Sequence, residues 1–215
     1  CISTSSYAQM YELGIFAGGS NFVGDVGATD YFKPNKPYLG LVFKYNLNPR
    51  MALRTNFTYF SVAGDDAKSD NDFRNSRGLS FENDMNEFSV GIEYNFFEYN
   101  IAEPGKRATP YILFQLGAID YKTPRTTDLN GNVVFTRRTS LTIPMGLGFK
   151  SIIYGRLAFA IEARANYNLT DGIDFTTSNI PALDFGGTSN DWHMFTGISL
   201  VYTFGRPSCY ASGRW

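Results

Sequence analysis

The chain has 215 residues, 19 Lys+Arg against 20 Asp+Glu, a formal net charge of -1 and one histidine. This balance leaves no basic excess for nucleic acid, and two cysteines are too few for a disulfide-dense scaffold or a thiolate metal site. The 19 Phe, 14 Tyr and 21 Gly suit β-structure with close backbone approaches better than a helical enzyme. No stretch approaches the roughly 18 consecutive apolar residues of a transmembrane helix, yet a strand wall alternating lipid-facing and interior residues also keeps mean hydropathy near neutral, as the value of -0.21 is.

In chain order, residues 1–10 begin CISTSSYAQ, which has two readings. It is the tail of a secretory signal whose small-residue region ends near Ala8 and Gln9, or a lipoprotein start in which Cys1 is the lipid attachment point. Both lead to an expectation of export. From residue 11 to 205 a period of two recurs eight times, the signature of strands. The apolar sets are Tyr11, Leu13, Ile15, Ala17; Leu39, Leu41, Phe43, Tyr45; Leu53, Thr55, Phe57, Tyr59; and Phe88, Val90, Ile92, Tyr94, Phe96. They continue as Ile112, Phe114, Leu116, Ala118; Leu141, Ile143, Met145, Leu147, Phe149; Leu157, Phe159, Ile161, Ala163, Ala165, Tyr167; and Trp192, Met194, Thr196, Ile198, Leu200, Tyr202, Phe204. The fifth is ambiguous, because Tyr111, Leu113 and Ile119 also make an apolar face.

The opposite faces carry Glu12, Lys44, Arg54, Glu87, Glu93, Lys150, Glu162 and Arg164, with Gln115 and several glycines between them. Alternation alone cannot tell a membrane barrel from a soluble eight-stranded barrel of the lipocalin kind, which would place the apolar set inward. Two further features point to a membrane. Aromatics cluster at strand ends, and connections alternate between tight (NLNPR, KSIIYGR) and long and polar. The reading is an all-β, eight-stranded antiparallel up-and-down transmembrane β-barrel over 11–205 in the outer membrane, with termini, short turns and a tail over 206–215 in the periplasm and long loops outside. Trp192 then marks the outer interface and Tyr202 and Phe204 the inner one. Eight strands leave an interior just wide enough for side chains, so four acids and four bases are expected to pair there as a lumen network, without an open pore.

Catalytic and cofactor signals are weak. His193 has Asp191 beside it, but there is no G-x-S-x-G elbow, and Ser199 lies too far along the same strand to meet it. GDDAKSDNDF lacks the glycine and final glutamate of a calcium loop, and EPGKRAT lacks the rest of a phosphate loop. The expectation is a nonenzymatic chain without cofactor or metal. Asn130-Gly131 suggests a tight turn, making the third external loop a protruding hairpin. Lys33, Lys36, Arg74, Arg77, Arg125, Arg137 and Arg138 lie where lipopolysaccharide phosphates would be met.

Three stretches, YELGIFAGGSNFVGDVG, ATPYILFQLG and DWHMFTGISLVYTFGRPSCY, resemble the PorG-type outer-membrane β-barrels of the Bacteroidota type IX secretion system, most specifically at the two ends of the chain. The resemblance implies a noncatalytic subunit of a secretion or gliding machinery, holding a periplasmic ring of a PorK-like lipoprotein and a PorN-like subunit against the outer membrane. A ring would meet the periplasmic end, so the candidate contacts are Glu103, Lys106 and Arg107 in the unusually long turn, and Arg206, Tyr210 and Trp215 in the tail. Cys209, also in the tail, is a candidate for a disulfide to Cys1 or to a partner. The alternative is a standalone barrel of the OmpA/OmpX kind, acting in adhesion or membrane stabilisation.

Overall fold

The structure, a computed structural model, describes residues 10–23, 34–68, 72, 76, 80–99, 107–127, 133–170, 173–175 and 191–205. Eight strands follow one another: β1 (Met10–Val23), β2 (Lys36–Asn48), β3 (Met51–Asp65), β4 (Ser80–Asn95), β5 (Ala108–Thr127), β6 (Val133–Tyr154), β7 (Leu157–Asn168) and β8 (Trp192–Phe204). Each pairs antiparallel with its chain neighbour, and β1 also pairs with β8 from Tyr11↔Phe204 to Val23↔Trp192, closing the barrel. Closure removes the sheet edges that hydrocarbon cannot hydrogen-bond.

The period-two faces sort as the sequence pattern requires. Leu13, Ile15, Leu39, Leu41, Phe57, Phe88, Ile112, Phe114, Leu116, Leu141, Leu147, Ile161, Ile198 and Leu200 are all exposed on the outside. The ambiguity in β5 resolves with Ile112, Phe114 and Leu116 outward, while Tyr111, Leu113 and Ile119 are buried. Met194 departs from the pattern. It belongs to the outward set but is only 5% exposed, and Asn21, its partner across β1 and β8, is buried too. The lipid-facing stretch of β8 therefore begins at Thr196, and protein covers the barrel wall above it.

Strand lengths divide the two ends. β2–β3 and β6–β7 close through Pro49–Arg50 and through Gly155–Arg156, where Gly155 takes the left-handed φ of 54° that a tight turn favours. At the other end β5 and β6 stay paired as far as Thr127↔Val133, although β4 leaves β5 at Asn86↔Asp120 and β7 joins β6 only at Thr142↔Asn168. The third external connection is thus a two-stranded ribbon standing above the barrel. Among the described residues no helix is long and apolar enough to cross a membrane, and strands make the crossing.

Candidate functional site

The polar faces of the eight strands meet in the bore. Glu12, Lys44, Arg54, Glu87, Glu93, Lys150, Glu162 and Arg164 are all buried there. Glu93 is the hub: its carboxylate lies 2.6 Å from Lys150 Nζ, 2.7 Å from Lys44 Nζ and 3.1 Å from Arg54 Nη1. Arg54 spans the bore and makes a two-pronged contact with Glu162, at 2.6 and 3.2 Å, a geometry suited to the planar guanidinium. Glu162 also accepts from Tyr111 Oη at 2.5 Å and pairs with Arg164 Nε at 2.8 Å. Glu12 sits 3.9 Å from Lys44 and accepts from Asn46 at 2.8 Å. A buried carboxylate left unpaired would cost several kcal/mol, about 3–5 when one partner of a pair is removed. Clustering three cations around Glu93 offsets that cost and fixes the strands' relative positions.

Glu87 does not join this network, a correction to the expectation of a single eight-membered set. No ion pair among the described residues links it to the other seven; it faces His193 Nε2 at 3.4 Å and accepts from Asn166 at 3.3 Å. Cross-bore neighbours depend on strand stagger, which parity leaves open. His193, the second residue of β8, points inward at the loop end. It is fully buried, hydrogen-bonded to Asn166 and Asn168, and stacked on Phe60 with ring centroids 4.7 Å apart. No serine or threonine hydroxyl contacts its ring, and no group of metal-ligating side chains occurs among the described residues.

Arg164 lies between the two zones. Its guanidinium carbon is 4.6 Å from the Phe16 ring, 4.7 Å from Phe195 and 5.3 Å from Tyr38, an aromatic enclosure that stabilises a desolvated cation. Above it the bore is filled by Phe16, Tyr38, Phe60, Val62, Phe81, Met85 and Ile119. Glycines make room for the large groups: a Cβ on Gly148 would meet the Tyr111 ring and hydroxyl at 2.5 and 2.6 Å.

A buried residue from a connection enters the bore at each end. On the turn side, Tyr99 reaches into the bore, its N–H bonded to Pro49 O at 3.0 Å and its ring 4.4 Å from Lys150 Nζ. On the loop side, buried Ile173 is held by Asp191 Oδ2 on its N–H at 3.0 Å and by Asn83 Nδ2 on its carbonyl at 2.9 Å. Sequence reasoning missed both plugs, as well as the buried Asp66 and Asp174, and read Asp191 only as a neighbour of His193, because loop residues follow no period.

Of the aromatics expected at the membrane interfaces, Trp192 is half-buried at the loop end, with its ring 4.8 Å from Tyr167, and Tyr202 and Phe204 are exposed at the turn end, where Phe204 meets Tyr11 at 5.7 Å. Arg107 is exposed at the turn end. Cys1, Glu103, Lys106, Arg206, Cys209, Tyr210 and Trp215 lie outside the described residues, as do Lys33, Arg74, Arg77 and the Asn130-Gly131 turn.

A closed barrel that is greasy outside and filled with ion pairs, with tight turns at one end and long connections at the other, is an outer-membrane β-barrel with periplasmic turns and extracellular loops. The chain belongs to the family described as "Domain of unknown function (DUF6089)", which matches residues 1–213. A comparison with curated protein sequences finds no match. Among solved structures, the chain is similar to a major outer membrane protein from Thermus thermophilus, at 12% identity over 92% of this chain and 100% of that one, with a TM-score of 0.55. It is also similar to Neisserial surface protein A, at 13% identity over 92% and 96%, TM-score 0.49. A third similarity is to Ail, the attachment invasion locus protein of Yersinia pestis, at 15% identity over 92% and 99%, TM-score 0.48. At these identities the likeness concerns the fold.

Proposed function

We propose that the protein is a self-contained, noncatalytic barrel that acts from its extracellular end, in adhesion or in stabilising the membrane. The observation that carries this is the unequal reach of the strands. β5 and β6 have 20 and 22 residues, about twice the 9–11 that a tilted transmembrane strand needs, and the excess forms the ribbon on the loop side. A bore packed with paired charges favours a structural role over conduction. Arg125, Arg137 and Arg138, exposed on the ribbon, suit contacts with lipopolysaccharide phosphates at its base. Replacing residues 122–137 by an Asn-Gly turn removes the ribbon while sparing the transmembrane wall. The expected result is a folded, membrane-inserted barrel whose cells attach more weakly to glass or leak a periplasmic marker in mild detergent. Unchanged attachment and unchanged leakage overturn the reading.

A second reading, an anchor for a periplasmic PorK- and PorN-like ring of the type IX secretion system, rests on the resemblance of the three quoted stretches. The periplasmic end adds some support: Arg50, Arg107 and Arg156 put one exposed cation on each of its three turns, beside Tyr154, which is 86% exposed. Purification of the full chain from native membranes in mild detergent separates the two. A stoichiometric periplasmic lipoprotein in the eluate favours the anchor, and a lone barrel favours the first reading.

A further inference from the structure

The ribbon formed by β5 and β6 has two long edges, and they are treated differently. On the β5 edge, the Asn83 side-chain amide acts as a surrogate strand: its Nδ2 donates to Lys122 O at 2.8 Å and its Oδ1 accepts from Lys122 N at 3.1 Å. Two residues on, Pro124 has no N–H to offer. This edge is closed to further pairing.

Among the described residues the β6 edge has no such protection. Lys122 spends both backbone groups on Asn83, so Lys122↔Arg137 is a non-hydrogen-bonded pair, and the N–H and C=O of Arg137 face away from β5. The other end of the edge gives the same phase, since Leu141 O accepts from Leu169 N across to β7 at 2.9 Å. By alternation the backbone groups of Val133, Phe135 and Arg137 point to the open side, where no strand pairs with residues 133–139 among the described residues. The segment is steadied rather than free to flap: the Phe135 ring packs 5.0 Å from Phe175, and Arg137 Nε is 2.7 Å from Asp120. It contains Arg137 and Arg138, has no acid, and exposes Val133, Val134 and Phe135.

We propose that this edge is a strand-addition site that captures an extended, acidic segment of a partner outside the cell. Main-chain hydrogen bonds to the open N–H and C=O groups supply the affinity. Carboxylates set against Arg137 and Arg138, and apolar side chains set against Val133 and Phe135, supply the selection. A second copy of the chain fits less well, because antiparallel self-pairing brings two Arg137-Arg138 pairs together. The proposal deepens the surface-binding reading above and rests on the ribbon being extracellular.

The test uses the full chain in lipid nanodiscs and a fluorescein-labelled peptide of about ten residues, roughly two strand lengths, with two adjacent glutamates, one for each face, followed by valines and threonines. A control peptide is N-methylated at every second residue, so that it cannot complete a ladder. The expected result is binding of the first peptide and at least about tenfold weaker binding of the second. Arg137→Pro removes an edge-facing N–H without touching the β5 ladder and is expected to weaken capture about tenfold, whereas Arg137→Ala, which keeps the N–H, weakens it only about two- to threefold. Arg138→Glu leaves the backbone intact and should turn the preference toward a peptide in which only the glutamate of that face is replaced by lysine. Heat-modifiable migration in electrophoresis verifies that each variant is folded. Equal binding by Arg137→Pro and Arg137→Ala, or no capture by the unaltered chain, overturns the proposal. So does a two-barrel particle that Arg137→Pro splits, which gives the edge to a second copy. Capture lost in Arg137→Pro while cell attachment is unchanged supports strand addition and sinks only the adhesion reading.

Discussion

On the periplasmic side the bore holds Glu93 within 3.1 Å of three cations and Glu162 within 3.2 Å of Arg54 and Arg164. On the extracellular side the same cylinder is filled by Tyr38, Phe60, Phe195, Met85 and Ile119, with Glu87, His193, Asn166 and Asn168 as a hydrogen-bonded polar cluster among them. Both halves fill an interior just wide enough for side chains, but they are stabilised differently. Aromatic contacts contribute about 0.5–1.5 kcal/mol each beyond area burial and tolerate small shifts. The ionic half is all-or-none, since each charge there is bearable only while its partners remain. Arg164 joins the two, with one side of its guanidinium on a carboxylate and its rim among rings.

That contrast predicts a steep order of mutational cost. Glu93→Gln is expected to be worst, because Lys44, Arg54 and Lys150 lose their common anion together; a loss of about 3–5 kcal/mol is expected, read as the urea midpoint of the barrel refolded in lipid vesicles. A shift no larger than that of a surface variant would break the comparison. Gly148→Ala comes next. Its methyl group would push on the Tyr111 ring and so on the Tyr111–Glu162 hydrogen bond, and overpacking of this kind costs about 1–3 kcal/mol. The same substitution should leave the extracellular half intact, with protease resistance of the ribbon unchanged.

Wall and bore differ in how much of them could be read from the chain. The inside–outside assignment of Leu13, Phe57, Leu147 or Ile198 follows from a period of two and two solvents, so it is local and legible. Even β5, apolar on both faces, is assigned correctly by Ile112, Phe114 and Leu116. Which charges meet is another matter. Arg54 and Glu162 are separated by 108 residues and touch because stagger brings β3 and β7 to one level across the bore. Inward parity places Glu87 in the bore just as it places Glu93, yet only one of them reaches the cations. Tyr99 and Ile173 belong to connections with no period at all, and Met194 is buried by protein above the band that alternation describes. The strand-addition edge was half visible: the hairpin was expected, but the Asn83 clamp that phases it required coordinates.

Glu87→Gln sharpens the comparison most, because its cost reports how the extracellular half is held. Glu87 accepts from Asn166 and faces one ring nitrogen of His193, so the amide replaces one hydrogen-bond acceptor by another, and the expected loss is about 1 kcal/mol, within the range of a single hydrogen bond. A loss as large as that of Glu93→Gln would mean that the two halves share one chemistry. Arg137→Ala is the smallest expected effect. Its pair with Asp120 at 2.7 Å is exposed on both sides, so solvent screens it and the change in urea midpoint should correspond to about 0–1 kcal/mol. Because the same arginine borders the open β6 edge, that variant separates stability from recognition: the barrel should unfold where the unaltered chain does, while its hold on an acidic strand weakens.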